Sequence, residues 1–404
     1  MVARAETPRW TGLGARQIAV GGILLGCFAF LVALPPITAR AQWWPPLLGI
    51  LAIGAGIWSL TRGARRPGWF AIAAGILGVG LGILATQASS GNLDYVVNWA
   101  PLFSAMFVFA TPLTYAALGG MFSERSGVVN IGLEGMMLTG AFFAVLGADK
   151  LGNWFFGIVC AIIAGGLLAL IHAFVSIHLR ADQIVSGTAI NFLALGVTGY
   201  FFYKVYGEQG TPGSISQVPD RPRLGFLSHI PWAGHFLYEV FGTLNLLIWF
   251  AFLMLIVSHI VVFRTPIGLR IRAVGEHPRA ADTVGISVYG VRYAAVVLSG
   301  MLAALGGAYL SIGFVGSFNE NMTAGRGFIG LAALIFGNWR PFGAFAAALL
   351  FGFSTALAFR LGQPWGNAAV LFQALPYVLT LIAVAGVIGR SIPPAASGRP
   401  YRKQ

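Results

Sequence analysis

Apolar residues fall along this chain in long unbroken runs. Ile18–Leu34, Trp69–Ala85, Phe155–Ile177, Leu244–Phe263 and Ala368–Ile388 each hold close to the ~20 helical residues that cross a ~30 Å hydrocarbon core. No stretch alternates polar and apolar residues at period two over about ten residues, which argues against an outer-membrane barrel. The pattern predicts apolar segments over residues 17–37, 43–60, 69–87, 101–122, 128–148, 154–178, 183–206, 243–263, 289–313, 327–338, 341–360 and 368–389. The expected fold is therefore all-α, a polytopic transmembrane helical bundle of about 10–12 membrane segments, some of them discontinuous. Segment 128–148 opens with the polar, glycine-rich stretch Asn130-Ile-Gly-Leu-Glu-Gly135, and segment 327–338 is too short to span as regular helix. Broken helices at membrane depth are tolerated where they line a cavity.

Composition agrees with the pattern, since 57% of the 404 residues are hydrophobic and 9% charged, against about a quarter charged in soluble domains. The net charge of +13 does not point to nucleic acid, because the basic residues are scattered through short loops without a basic stripe. They report orientation instead. With the N-terminus cytoplasmic, the inner loops collect 18 of the 25 Lys and Arg residues, the bias expected of a multi-pass protein with both termini cytoplasmic. Arg4, Arg9 and Arg16 precede the first run, and Pro35, Ala39 and Ala41 follow it. That run is longer than a signal-peptide core, so an uncleaved helix is expected. Glycines at 22 and 26, and at 78 and 82, have the small-xxx-small spacing that lets helices approach closely.

Catalytic chemistry has little support. The sequence has no G-x-x-x-x-G-K-[ST], H-E-x-x-H or G-x-S-x-G motif, its six histidines are dispersed, and Cys27 and Cys160 have no metal or redox spacing. No cofactor or metal is expected on this chain, and His172 reads as a satisfied span residue. Glu134 is the most informative acid, because a carboxylate near mid-membrane costs a few kcal/mol unless paired or neutralised. It serves either as a cap on the helix that follows or as a lining of the solute pathway. Asn130 either binds a polyol or ties off unwound backbone, and Asn191 either lines the pathway or bonds between helices. Two connections exceed a tight turn: 207–242, expected outside and carrying an apolar patch over Ile230–Phe241, and 264–288, expected inside. In the second, Pro278 suits a first helical turn and Gly285 a stop, giving a short rigid helix exposed to the cytosol.

The stretch Ser123-Glu-Arg-Ser-Gly-Val-Val-Asn-Ile-Gly-Leu-Glu-Gly-Met-Met137 resembles the signature of bacterial ABC-importer permeases for simple sugars and nucleosides, a family related to branched-chain amino acid permeases. Ala273-Val-Gly-Glu-His-Pro-Arg-Ala-Ala-Asp-Thr-Val-Gly-Ile286 resembles its second recurrent feature, and the GRGFIGLAALIFGNWRPFG stretch at 325–343 is also similar. The resemblance covers roughly residues 100–390. It implies a permease subunit in the bacterial plasma (inner) membrane, forming the pathway for a nucleoside or simple sugar, and not itself an enzyme. The implied partners are a separate ABC ATPase that binds ATP and Mg, a second permease and an extracytoplasmic substrate-binding protein. Gly275, Glu276, His277, Pro278, Arg279, Ala280, Ala281 and Asp282 are implied to couple to the ATPase. Residues 1–98 then form an N-terminal extension with about three transmembrane helices, 99–390 the permease core, and 391–404 a basic cytoplasmic tail. Two readings compete. An ion-coupled secondary transporter of a small polar solute needs more embedded ionisable groups than Glu134 supplies, and a membrane enzyme needs Glu134, Asp182 and His172 to converge.

Overall fold

The computed structural model describes residues 14–33, 44–87, 99–218, 224–230, 234–362 and 391–403. The expected span at 368–389, Arg4, Arg9 and the segment with Pro35, Ala39 and Ala41 lie outside the described residues. Every regular element among the described residues is helical, and six of these helices are long and apolar enough to cross a membrane. The chain divides into two compact units.

The first unit takes residues 1–102 and 357–389. Its helices α1 (Ala15–Ala33), α2 (Trp44–Thr61) and α3 (Arg65–Gln87) pack on one another. A side chain at Gly26 would lie 2.5 Å from the Ala74 backbone, and one at Gly78 would meet the Gly26 carbonyl. These glycines therefore set the approach of α1 and α3, as small residues do where two membrane helices have only packing to hold them.

The second unit, residues 103–356 and 390–404, holds most of α4 (Trp99–Arg125), then α5 (Leu133–Leu151), α6 (Trp154–Ala173), α7 (Gln183–Tyr206) and α8 (Gly234–Phe241). There follow α9 (Leu246–Arg264), α10 (Pro266–Glu276), α11 (Pro278–Thr283), α12 (Val288–Ala308), α13 (Arg326–Phe336) and most of α14 (Pro341–Gly362). Asn153, Asp182, Asn245, Thr265 and Ser287 each accept a bond from the first turn of the helix they precede, satisfying N–H groups that a helix leaves free. Helix α12 runs on through a π-helical stretch, Tyr309–Val315, and is the most enclosed of the six spans: 83% of its apolar window is buried, against 28% for α7. It packs on α5 and α6 through small residues, Gly140 against Ala304 and Gly165 against Gly300.

Both expected discontinuities are present. Residues 126–132 are non-helical between α4 and α5, and α13, at 11 residues, rises about 17 Å, little more than half of a ~30 Å core. The described part of the 207–242 connection is folded onto the bundle: Ile215 and Val218 are buried, and Phe241 of α8 packs on Phe107 with ring centroids 5.3 Å apart.

Candidate functional site

The unwound stretch 126–132 is held from four elements at once. From α4, the Ser123 hydroxyl donates to the Val128 carbonyl (2.7 Å). From α7, the Val129 N–H donates to Gln183 Oε1 (2.7 Å), and Asn191 spans the break, its Nδ2 donating to the Ile131 carbonyl (3.1 Å) and its Oδ1 accepting from the Gly135 N–H (2.8 Å). From α6, the buried His172 ring lies 3.2 Å from the Val129 carbonyl and 2.9 Å from Ser186 Oγ. From α12, Ser299 Oγ accepts from Asn130 Nδ2 (3.0 Å), while Asn130 Oδ1 has no hydrogen-bond partner among the described residues. Backbone that leaves helical geometry in an apolar setting needs such substitutes for the lost ladder.

Glu134 stands in the first turn of α5 and is 8% exposed. Its carboxylate closes the start of the other broken element. The Thr323 hydroxyl and the Gly325 N–H donate to Oε1 at 2.6 and 2.8 Å, and the Gly327 N–H donates to Oε2 at 2.6 Å. One carboxylate thus lies at the positive ends of α5 and α13 together, where it is favoured by both helix dipoles. Gly327 packs directly on the Glu134 backbone, where a side chain would come within 2.5 Å of its Cα.

Asn130, Glu134 and Asn191 are therefore brought together at one double break, and most of their polar atoms are engaged by the chain's own backbone and hydroxyls. Asn130 is fully buried and Asn191 half-buried. Asp182 instead caps α7, accepting from the Ile184 and Val185 N–H groups, so Glu134, Asp182 and His172 each have separate partners. Among the described residues no group of three His, Cys, Asp or Glu side chains is placed to hold a metal.

The second assembly surrounds the 264–288 connection. Helix α10 ends at Glu276, His277 turns the chain, and Pro278 opens α11, which runs to Thr283 before Gly285 at φ +83°. Gly275 is buried against the Arg125 carbonyl, a contact that leaves no room for a side chain. Glu276, His277, Arg279 and Ala280 are exposed, Pro278 and Asp282 half-buried, and Ala281 buried beneath the helix. The 264–288 connection therefore rests directly on the end of α4.

Three features here escape a reading of the sequence. Glu124, 4% exposed, accepts from Trp339 Nε1 (2.6 Å), while Arg125 Nε donates to the Trp339 carbonyl (3.0 Å). These contacts hold Asn338 and Trp339 in left-handed backbone, φ 53° and 52°, a conformation costly for side-chain-bearing residues. Arg292, near the start of α12, is 1% exposed, and its Nη1 donates to the Arg399 carbonyl (3.1 Å). Finally, the tail 391–403 is folded against α10 and α11 instead of standing apart.

A helical bundle with six helices long and apolar enough to cross a membrane and two broken elements closed by buried hydrogen bonds defines a polytopic membrane protein. The chain belongs to the family described as the branched-chain amino acid transport system / permease component, which matches residues 102–384. It is similar to the guanosine ABC transporter permease protein NupQ of Bacillus subtilis, 43% identical over 77% of this chain and 99% of that one. The nucleoside ABC transporter permease protein NupC of Lactococcus lactis subsp. cremoris is 41% identical over 76% of this chain and 99% of its own. The putative glucose ABC transporter permease protein TsgC13 of Haloferax volcanii is 38% identical over 65% of this chain and 78% of its own. No solved structure matches. The protein is the permease subunit of an ABC transporter, a transport component and not an enzyme.

Proposed function

We propose that this chain forms the translocation pathway of an ATP-driven nucleoside importer in the bacterial plasma (inner) membrane, with both termini in the cytosol. The observation that carries this reading is the 43% identity to a guanosine permease over 99% of that protein's length. A separate ABC ATPase binds ATP and Mg and supplies the energy, and no cofactor is held on this chain. A second permease completes the pathway, and an extracytoplasmic binding protein selects the solute and delivers it. Residues 99–390 form the permease core and residues 1–98 an extension outside it, in keeping with a family match that begins at residue 102.

Coupling is assigned to residues 275–282. A short helix bounded by Pro278 and Gly285, seated through Gly275 on the end of α4, moves with its support instead of bending away from it. Helix α4 continues into the clamped break at 126–132, so a push at α11 reaches Asn130, Glu134 and Asn191 through packed backbone. Alternating access follows when the ATPases close and reopen, biasing a two-state bundle between its inward-open and outward-open arrangements.

The test is uptake of radiolabelled guanosine into proteoliposomes containing this chain, its ATPase, the second permease and the binding protein. ATP inside the vesicles is expected to drive accumulation. Accumulation by the lone chain on a proton or sodium gradient would establish the ion-coupled alternative in its place.

A further inference from the structure

The tail is anchored at five points. The Ile392 N–H donates to Asn338 Oδ1 (3.0 Å), the Ala395 N–H to Glu276 Oε2 (3.2 Å) and the Ala396 N–H to the Gly275 carbonyl (2.9 Å). Buried Arg292 donates to the Arg399 carbonyl (3.1 Å), and the Tyr289 hydroxyl to the Tyr401 carbonyl (3.3 Å). Tyr401, 6% exposed, completes a small apolar core with Val274, Ala281 and Val288 directly beneath α11. Its ring also meets that of Tyr289 at 5.7 Å. The small core beneath the coupling helix is thus completed by a residue more than a hundred positions further along the chain.

Between this strap and α11 lies a cleft of about 610 Å³. Arg279 borders it from the helix, and Arg399 and Arg402 from the strap; all three are exposed. Glu276 is the one acid among its lining residues, and its carboxylate already accepts the Ala395 N–H. None of the three arginines forms an ion pair among the described residues. Their chain positions are fixed by the anchors, so the surplus positive charge is preorganised and does not hang on a loose terminus.

We propose that the C-terminal strap is the second half of the ATPase docking surface, and that the cleft receives a carboxylate-bearing segment of the ATPase. Charge complementarity argues for that occupant: an open cleft bordered by three guanidinium groups that form no ion pair among the described residues favours an acidic one and fixes its register. The inference rests on the coupling role proposed for residues 275–282.

The test measures binding of the purified ATPase chain to the permease pair in nanodiscs of phosphatidylcholine alone, at low and high salt. The double variant R399E/R402E is expected to weaken binding by about ten-fold or more and to flatten its salt dependence. The neutral variant R399Q/R402Q, which preserves the anchors because they use backbone atoms, is expected to shift both in the same direction by less. Parental affinity and salt dependence in both variants would overturn the proposal. So would a defect that emerges only in nanodiscs containing phosphatidylglycerol, which would assign the cleft to anionic lipid headgroups. Weakened binding by Arg279→Glu with parental binding by both strap variants would sink the strap's role and leave the coupling helix standing. An ATPase that fails to bind the parent protein would refute the coupling reading itself.

Discussion

Glu134 shows how much one side chain can do at a double break. Three donors from residues 323–327 converge on a carboxylate that is almost wholly enclosed. Glu134→Lys would set a cation among those donors and leave them unpaired in an apolar site, at a cost on the order of 3 kcal/mol or more. The expected result is a large fall in melting temperature in detergent, with loss of uptake. Parental melting and transport would show that the carboxylate does not hold α13. Asn191→Ala removes one acceptor and one donor from the unwound backbone and is expected to destabilise by about 1–3 kcal/mol, read the same way; an unchanged melting temperature would count against the clamp. Glu134 is conspicuous in the sequence, because an acid in an apolar setting requires a partner, but Thr323, 189 residues away, is not identifiable as that partner. Glu124 is not conspicuous, since it stands beside Arg125 at the end of a span and reads as a solvated pair. Only the fold reveals Trp339, 215 residues on, closing over it.

At the scale of elements, the ends of α11 follow from Pro278 and Gly285, whose backbone preferences are local and therefore visible in sequence. The same holds for α13, whose short apolar run cannot span a bilayer. The strap is invisible by that route, because a segment of Pro, Ala, Ser and Arg has no periodicity and each of its anchors lies in a distant element. Two outcomes follow for this region. Gly275→Val inserts a side chain where the Arg125 carbonyl sits, so α10 and α11 must shift. Solute-stimulated ATP hydrolysis by the assembled importer is expected to fall while assembly persists; full stimulation would contradict the seating of the helix. Tyr401→Ala opens the core under α11, and hydrogen exchange across residues 275–288 is expected to accelerate. Exchange at the parental rate would mean the strap adds no order there.

Over the whole molecule, the family match begins at residue 102, although α1, α2 and α3, among the described residues, precede it and pack on one another. Deletion of residues 1–98 is accordingly expected to leave ATP-dependent uptake in place, and its abolition would make those helices part of the transport machinery. The helical class and the spans are legible because a bilayer demands long apolar runs, whereas the pairing of elements across the bundle depends on buried contacts that hydropathy does not encode. Transport as proposed turns on energy entering from the cytosol through α11. Its most direct test replaces Cys27 and Cys160 with alanine, introduces Arg279→Cys, and labels oriented membrane vesicles from either side with a membrane-impermeant thiol reagent. Labelling from the cytosolic side alone, suppressed when the ATPase is bound, is expected; labelling from the external side, or labelling indifferent to the ATPase, would rule out that point of entry.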